Sequence, residues 1–182
     1  KRFLQILYCV YALLMFVALM LLVIPFVITF SFFGIKGGNL VYKTCNIWAR
    51  AWYFLIGIRH KEIHEVPHRH DNHYIFVANH WSYMDIPAVV RTEQQPVRVL
   101  GKHDMVRYPL FGIIYKAAVI AVNRSSPEHR AKSVRALKAA LRKGISIFIF
   151  PEGTFNETEA PLKEFYDGAF RIAIETKTPI KP

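Results

Sequence analysis

The chain has 182 residues, with 24 Lys and Arg against 13 Asp and Glu, a formal charge of +11. Hydrophobic residues make up 53% and charged residues 20%, too apolar for a disordered or low-complexity protein. Two cysteines, Cys9 and Cys45, exclude a disulfide scaffold and a four-Cys zinc site, and the basic excess points to an anionic partner: nucleic acid, a phospholipid surface or a phosphorylated substrate.

From Phe3 to Phe33 no residue is charged. A bilayer core needs roughly 20 apolar residues in a helix, so this run is long enough to span. It is too long for a signal-peptide core, and no small-residue cleavage site follows. The surplus length and Pro25 also permit a kinked or re-entrant hairpin. Gly34-Ile35-Lys36-Gly37-Gly38 reads as a break. From Leu40 to Ile58, Trp48, Trp52, Tyr53 and Phe54 mix with Lys43 and Arg50, which suits a helix lying at the headgroup layer. An ordinary helix packed on the following domain fits the same residues. The expected organisation is a membrane-embedded segment over 1–39, an interfacial helix over 40–58 and a globular domain over 59–182. The absence of disulfides and the heavy positive charge favour a cytosolic face for that domain, in a membrane expected to be the bacterial cytoplasmic one. Lys1 in place of Met, and a closing Thr178-Pro179-Ile180-Lys181-Pro182 that reads as a strand just beginning, suggest a piece cut at both ends.

Strands and helices then alternate. Gly57–Val66 reads as a partly polar edge strand, and Tyr74–Ala78 as a buried one. A helix over Ile86–Arg91 is entered through Ser82. Val97–Leu100 is a strand, Tyr108–Tyr115 a short apolar helix and Val119–Val122 a strand. Ser126-Pro127 supplies an N-cap and an N1 proline for a helix closed by Gly144. Ile145–Phe150 is a strand, Gly168–Thr176 a helix, and Ile180 starts another strand. This predicts an α/β fold, a mixed sheet flanked by helices and preceded by the membrane helix or hairpin. The Pro127–Lys143 helix is basic and amphipathic, which suits an anionic surface or simply a solvated face. The membrane segment argues against nucleic acid.

His64-Glu65-Val66-Pro67-His68 matches H-E-x-x-H, whose chemistry needs both histidines one helical turn apart. Pro67 would break the helix between them, so a membrane-anchored zinc protease through His64 and His68 is only a remote competing reading, and no metal site is expected. The stronger pattern is Val77-Ala78-Asn79-His80-Trp81-Ser82-Tyr83-Met84-Asp85. A histidine emerges where a buried strand ends, the edge at which α/β sheets bind ligands. His80 in the loop with Asp85 reaching back from the first helical turn would make a general base. Ser82-x-x-Asp85 also reads as a capping box. Phe150-Pro151-Glu152-Gly153-Thr154 follows a later strand directly. Gly153 permits a tight turn, and exposed N–H groups with the Thr154 hydroxyl can take a phosphate. Arg124, after the strand ending at Val122, suits bidentate phosphate recognition.

Together these blocks resemble the PlsC-type glycerolipid acyltransferase family, which includes the 1-acylglycerol-3-phosphate acyltransferases. Asn79-His80-x-x-x-x-Asp85 is similar to its first block, Asn123-Arg124 to the end of the second, Phe150–Thr154 to the third, and Thr178–Pro182 to the start of the fourth. Ala118, Phe155 and the base-free Phe165-Tyr166-Asp167-Gly168 depart from the usual pattern. The resemblance implies a glycerol-3-phosphate acyltransferase-like fold. It implies transfer of a fatty acyl group from acyl-CoA or acyl carrier protein to the sn-2 hydroxyl of lysophosphatidate, with no further cofactor. His80 would be the base and Asp85 its holder. Arg124, Glu152, Gly153 and Thr154 would bind the acceptor phosphate, with Lys102 as a weaker candidate. Glycerol 3-phosphate, another lysophospholipid or a lyso-aminolipid is the alternative acceptor. The implied partners are the phospholipid bilayer, lysophosphatidate, the acyl thioester and the carrier protein.

Overall fold

The computed structural model describes residues 1–63, 72–93, 95–122 and 126–182. It opens with two long helices, α1 (Arg2–Ser31) and α2 (Gly34–Leu55). α1 has 30 residues, about 45 Å at 1.5 Å per residue. It is the one helix among the described residues long and apolar enough to cross a membrane. Only Met20, Ile24 and Val27 of it are buried, while Phe3, Leu4, Leu13, Leu22 and Phe26 stand exposed. So much apolar surface calls for a nonpolar surrounding.

α2 runs back antiparallel along α1. The Tyr8 and Tyr11 hydroxyls donate to the carbonyls of Ile56 and Leu55 at 2.8 and 2.9 Å, and Trp52 Nε1 donates to the Ala12 carbonyl at 2.9 Å. Phe16 sets its edge against Trp48 and Trp52. The turn falls at Phe32–Phe33, with Gly34 at φ +56°, earlier than the expected break over 34–38. Gly37 and Gly38 lie inside α2. A Cβ on Gly37 would sit 1.9 Å from the Phe30 carbonyl oxygen. This glycine therefore lets two backbones approach closely and does not break the helix.

The expected edge strand over Gly57–Val66 does not form in its described part. Residues 57–63 are irregular, and Gly57, at φ +73°, closes α2 while Ile58 N–H donates to the Tyr53 carbonyl. That backbone is committed to helix capping; residues 64–66 lie outside the described residues.

The remaining elements are β1 (Ile75–Val77), α3 (Asp85–Thr92), β2 (Val97–Lys102), a 3₁₀ turn over His103–Arg107, α4 (Phe111–Ala118), β3 (Val119–Val122), α5 (Pro127–Arg142), β4 (Ser146–Ile149), α6 (Gly168–Thr176) and β5 (Ile180–Lys181). The expected helix over Tyr108–Tyr115 starts later, because Leu110 takes φ +61° and interrupts the chain before α4. Ser126 caps α5 as expected, its Oγ accepting from His129 N–H at 3.2 Å.

The five strands form one sheet in the order β3-β2-β4-β1-β5, and every pairing is parallel. The α/β class stands, but the sheet is parallel rather than mixed. Helical crossovers separate its successive strands, and that connection returns each strand in the same direction. Side chains alternate between the faces. Phe76, Val97, Val99 and Phe148 face α2, the end of α1, α3 and α4. Ile75, Ile147 and Ile149 face α5 and α6, against Leu137, Leu141, Ala169 and Ile172. Fully burying a Leu or Ile of this kind contributes about 1.5–3 kcal/mol. β1 and β4 are neighbours, so the loops leaving their C-terminal ends share one edge.

Candidate active site

His80 lies three residues past β1, and Asp85 opens α3. His80 Nδ1 and Asp85 Oδ2 are 2.9 Å apart. The same oxygen accepts from the N–H groups of Trp81 at 2.7 Å and Ser82 at 3.0 Å. Ser82 Oγ in turn accepts from Met84 N–H at 3.1 Å. The capping and catalytic readings of Asp85 are therefore compatible. One carboxylate satisfies loop amides ahead of the helix and holds the imidazole. With Nδ1–H donating to Asp85, the basic lone pair is on Nε2, which has no hydrogen-bond partner among the described residues.

The loop after β4 packs on this histidine. The Phe150 ring stacks on His80 at 3.8 Å between centroids, and Phe155 lies tilted at 4.3 Å. Phe155 also sets its edge against Tyr83 at 4.8 Å. Asn156 N–H donates to the His80 carbonyl at 2.6 Å. The imidazole is thus fixed by a carboxylate at one nitrogen and by two aromatic walls. Contacts of this type contribute about 0.5–1.5 kcal/mol each beyond area burial.

Gly153 takes φ +75°, and its N–H donates to the Phe150 carbonyl. This conformation turns the chain directly after Glu152. The Glu152 side chain is fully buried, and neither carboxylate oxygen has a hydrogen-bond partner among the described residues. Thr154 is exposed, and its Oγ1 accepts from Lys163 Nζ at 2.7 Å. Asn156 is buried and organises the loop beyond. Its Nδ2 donates to the Ala160 carbonyl, and its Oδ1 accepts from the Thr158 N–H and hydroxyl.

Of the residues singled out from sequence, His80, Asp85, Glu152, Gly153 and Thr154 share this edge. Lys102 ends the neighbouring strand β2, but its side chain is 77% exposed and pairs with Asp104 at 3.0 Å. That contact draws the Asp104 carboxyl below its ordinary range. β3 ends at Val122 on the same edge, and Arg124 lies outside the described residues, as do His64 and His68. No group of three His, Cys, Asp or Glu able to hold a metal occurs among the described residues. Sequence reasoning missed Phe150 and Phe155 as walls of the histidine, Asn156 as the loop organiser, and Lys163. Only the aromatic residues flanking Pro151–Thr154 hinted at the walls.

A parallel α/β sheet with a carboxylate-held histidine over its central strand ends is a fold equipped for general-base chemistry. A model of the family described as Acyltransferase matches residues 57–182, and the chain belongs to that family. It is 34% identical over 110 residues to a 1-acyl-sn-glycerol-3-phosphate acyltransferase of Cocos nucifera, spanning 59% of this chain and 35% of that protein. It is 37% identical over 110 residues to one of Borreliella burgdorferi, spanning 43% of that protein. It is 30% identical over 142 residues to one of Haemophilus influenzae, spanning 74% of this chain and 57% of that protein. The chain thus covers between about a third and somewhat over half the length of these relatives. The crystal structure of the 1-acyl-sn-glycerophosphate acyltransferase PlsC from Thermotoga maritima superposes with a TM-score of 0.70 at 22% identity, over 95% of this chain and 72% of that one. The two share a fold.

Proposed function

We propose that this chain carries the acyl-transfer site of a membrane-bound 1-acylglycerol-3-phosphate O-acyltransferase, forming phosphatidate for phospholipid biosynthesis. The observation that carries the reading is the His80–Asp85 bond, held beside the Gly153–Thr154 turn by the stacked Phe150 and Phe155 rings. The names of the relatives supply the acceptor class.

In this reading Nε2 of His80 takes the proton of the sn-2 hydroxyl as the oxygen attacks the thioester carbonyl. Asp85 fixes the tautomer and stabilises the imidazolium. The tetrahedral intermediate collapses with cleavage of the C–S bond. The imidazolium returns its proton to the departing thiolate, giving the ester and a free thiol. The thioester is already activated, so neither an acyl-enzyme nor a metal is required. The donor is acyl-CoA or acyl carrier protein. Lysolipid and acyl chain both partition into lipid, which is the physical reason for a site beside an apolar helix. The bilayer is then a partner, with the sheet domain on the cytosolic face. Arg124 and Glu152 belong to the acceptor site in this reading.

The test supplies the protein in vesicles with long-chain acyl-CoA and, separately, lysophosphatidate, other lysophospholipids, a lyso-aminolipid and glycerol 3-phosphate. Phosphatidate as the dominant product by mass is expected. A dominant product from another acceptor would replace the acceptor assignment, and no acyl product at all would overturn the reading.

A further inference from the structure

Lys163 is a basic side chain delivered to the active edge from the loop between β4 and α6. Its position is built. Asn156 ties the near part of the loop through Ala160 and Thr158, and Tyr166 N–H donates to the Pro151 carbonyl at 2.9 Å, closing the far part. Four glutamates, Glu152, Glu157, Glu159 and Glu164, share this loop. Lys163 forms an ion pair with none of them. Its Nζ instead donates to the neutral Thr154 hydroxyl at 2.7 Å, so its charge is not offset by an ion pair among the described residues.

What lies next to it fits an anion. The N–H groups of Thr154 and Phe155 follow the left-handed Gly153 and have no hydrogen-bond partner among the described residues. Consecutive free amides after such a turn form a concave anion site. An ammonium bonded to a hydroxyl and two unpaired amides thus stand at residues 154 and 155, and the Phe155 ring touches His80. That adjacency along the chain suits the substrate. In a 1-acylglycerol 3-phosphate the reacting hydroxyl and the phosphate ester oxygen sit on adjacent carbons, so the phosphate must be held beside the base. Phe155, the residue right after Thr154, carries no charge, and the cation comes from nine residues further on.

We infer that Lys163, with Thr154 and the amides of residues 154 and 155, binds the phosphate monoester of the acceptor. Only the turnover arm of its test rests on the function proposed above. The first arm measures initial rates against lysophosphatidate at saturating acyl-CoA in vesicles. Lys163→Gln raises KM roughly 10-fold or more, the range of a lost charge-assisted hydrogen bond, with a much smaller fall in kcat. Lys163→Arg retains most of the affinity. The second arm needs no turnover: calorimetric binding of glycerol 3-phosphate to the detergent-solubilised chain. The wild type binds, and Lys163→Gln binds roughly 10-fold more weakly. Weaker binding of this phosphate by Lys163→Gln, in a protein that acylates no lysophosphatidate, would support Lys163 and contradict the proposed function. Equal binding by wild type and Lys163→Gln, no binding by either, or a fall in kcat at unchanged KM would overturn the inference.

Discussion

Asp85 shows how one side chain can hold both a loop and the histidine that the proposed mechanism uses. Its Oδ2 collects the His80 ring and two loop amides. An amide in its place keeps some of these contacts but can present its NH₂ to Nδ1. That stabilises the tautomer whose proton is on Nε2, the wrong one for a base. Asp85→Asn is therefore expected to lower kcat by about 10²–10⁴-fold with little change in the far-ultraviolet circular dichroism. Activity within about 2-fold of wild type would contradict the orienting role. Phe155→Ala removes a wall of the imidazole and its contact with Tyr83. It is expected to reduce kcat more than it raises KM in steady-state assays, because it loosens the base and not the phosphate site. The His80–Asp85 spacing was legible from the sequence because five residues suffice to place the pair. The Lys163–Thr154 bond was not, since it depends on a loop closed by Asn156 and Tyr166.

At the scale of elements, one glycine and one partly buried acid carry the consequences. Gly37 was legible as a glycine but not as a close approach, because helix-breaking and backbone crossing leave the same mark in a sequence. Its Cβ would meet backbone, not a side chain that can swing away. Gly37→Leu is expected to destabilise the α1–α2 packing by about 1–3 kcal/mol, read as a lower Tm in detergent. Glu93, directly after α3, has its carboxyl pushed up to about 7 by burial and, less, by Glu62, against the opposing pull of Lys181. The folded state thus holds its proton more tightly than the unfolded chain. Stability from this group is full below the ordinary carboxylate pKa and is lost as pH rises through about 7. Chemical denaturation from pH 5 to 8 is expected to show that loss, and Glu93→Gln to flatten it. An unchanged slope in the variant would assign the pH dependence elsewhere.

For the molecule as a whole, the sheet separates two faces of different character. The α1–α2 hairpin, with its exposed apolar side chains, lies over one face, and the basic helix α5 lies over the other. Strands such as β4 were legible because their runs are almost wholly apolar, Ser146 being the one polar residue of Ile145–Phe150. The α/β class was legible, but the all-parallel pairing was not, and the sheet was read as mixed, since strand direction and register depend on long-range pairing. Surplus apolar length and Pro25 did not fold 3–33 into a hairpin: that run is one helix, α1, and the hairpin comes from α1 pairing with α2; its turn was not legible, because Phe32 and Phe33 carry no turn chemistry. In the proposed topology the hairpin sets the site at the lipid surface, and the chemistry stands on one histidine. The decisive measurement is thiol release from a long-chain acyl-CoA by the vesicle-bound chain, with and without lysophosphatidate, beside His80→Ala. Release that requires the acceptor and disappears in a folded His80→Ala protein is the predicted result. Acceptor-dependent release that persists in His80→Ala would contradict the general-base role of His80.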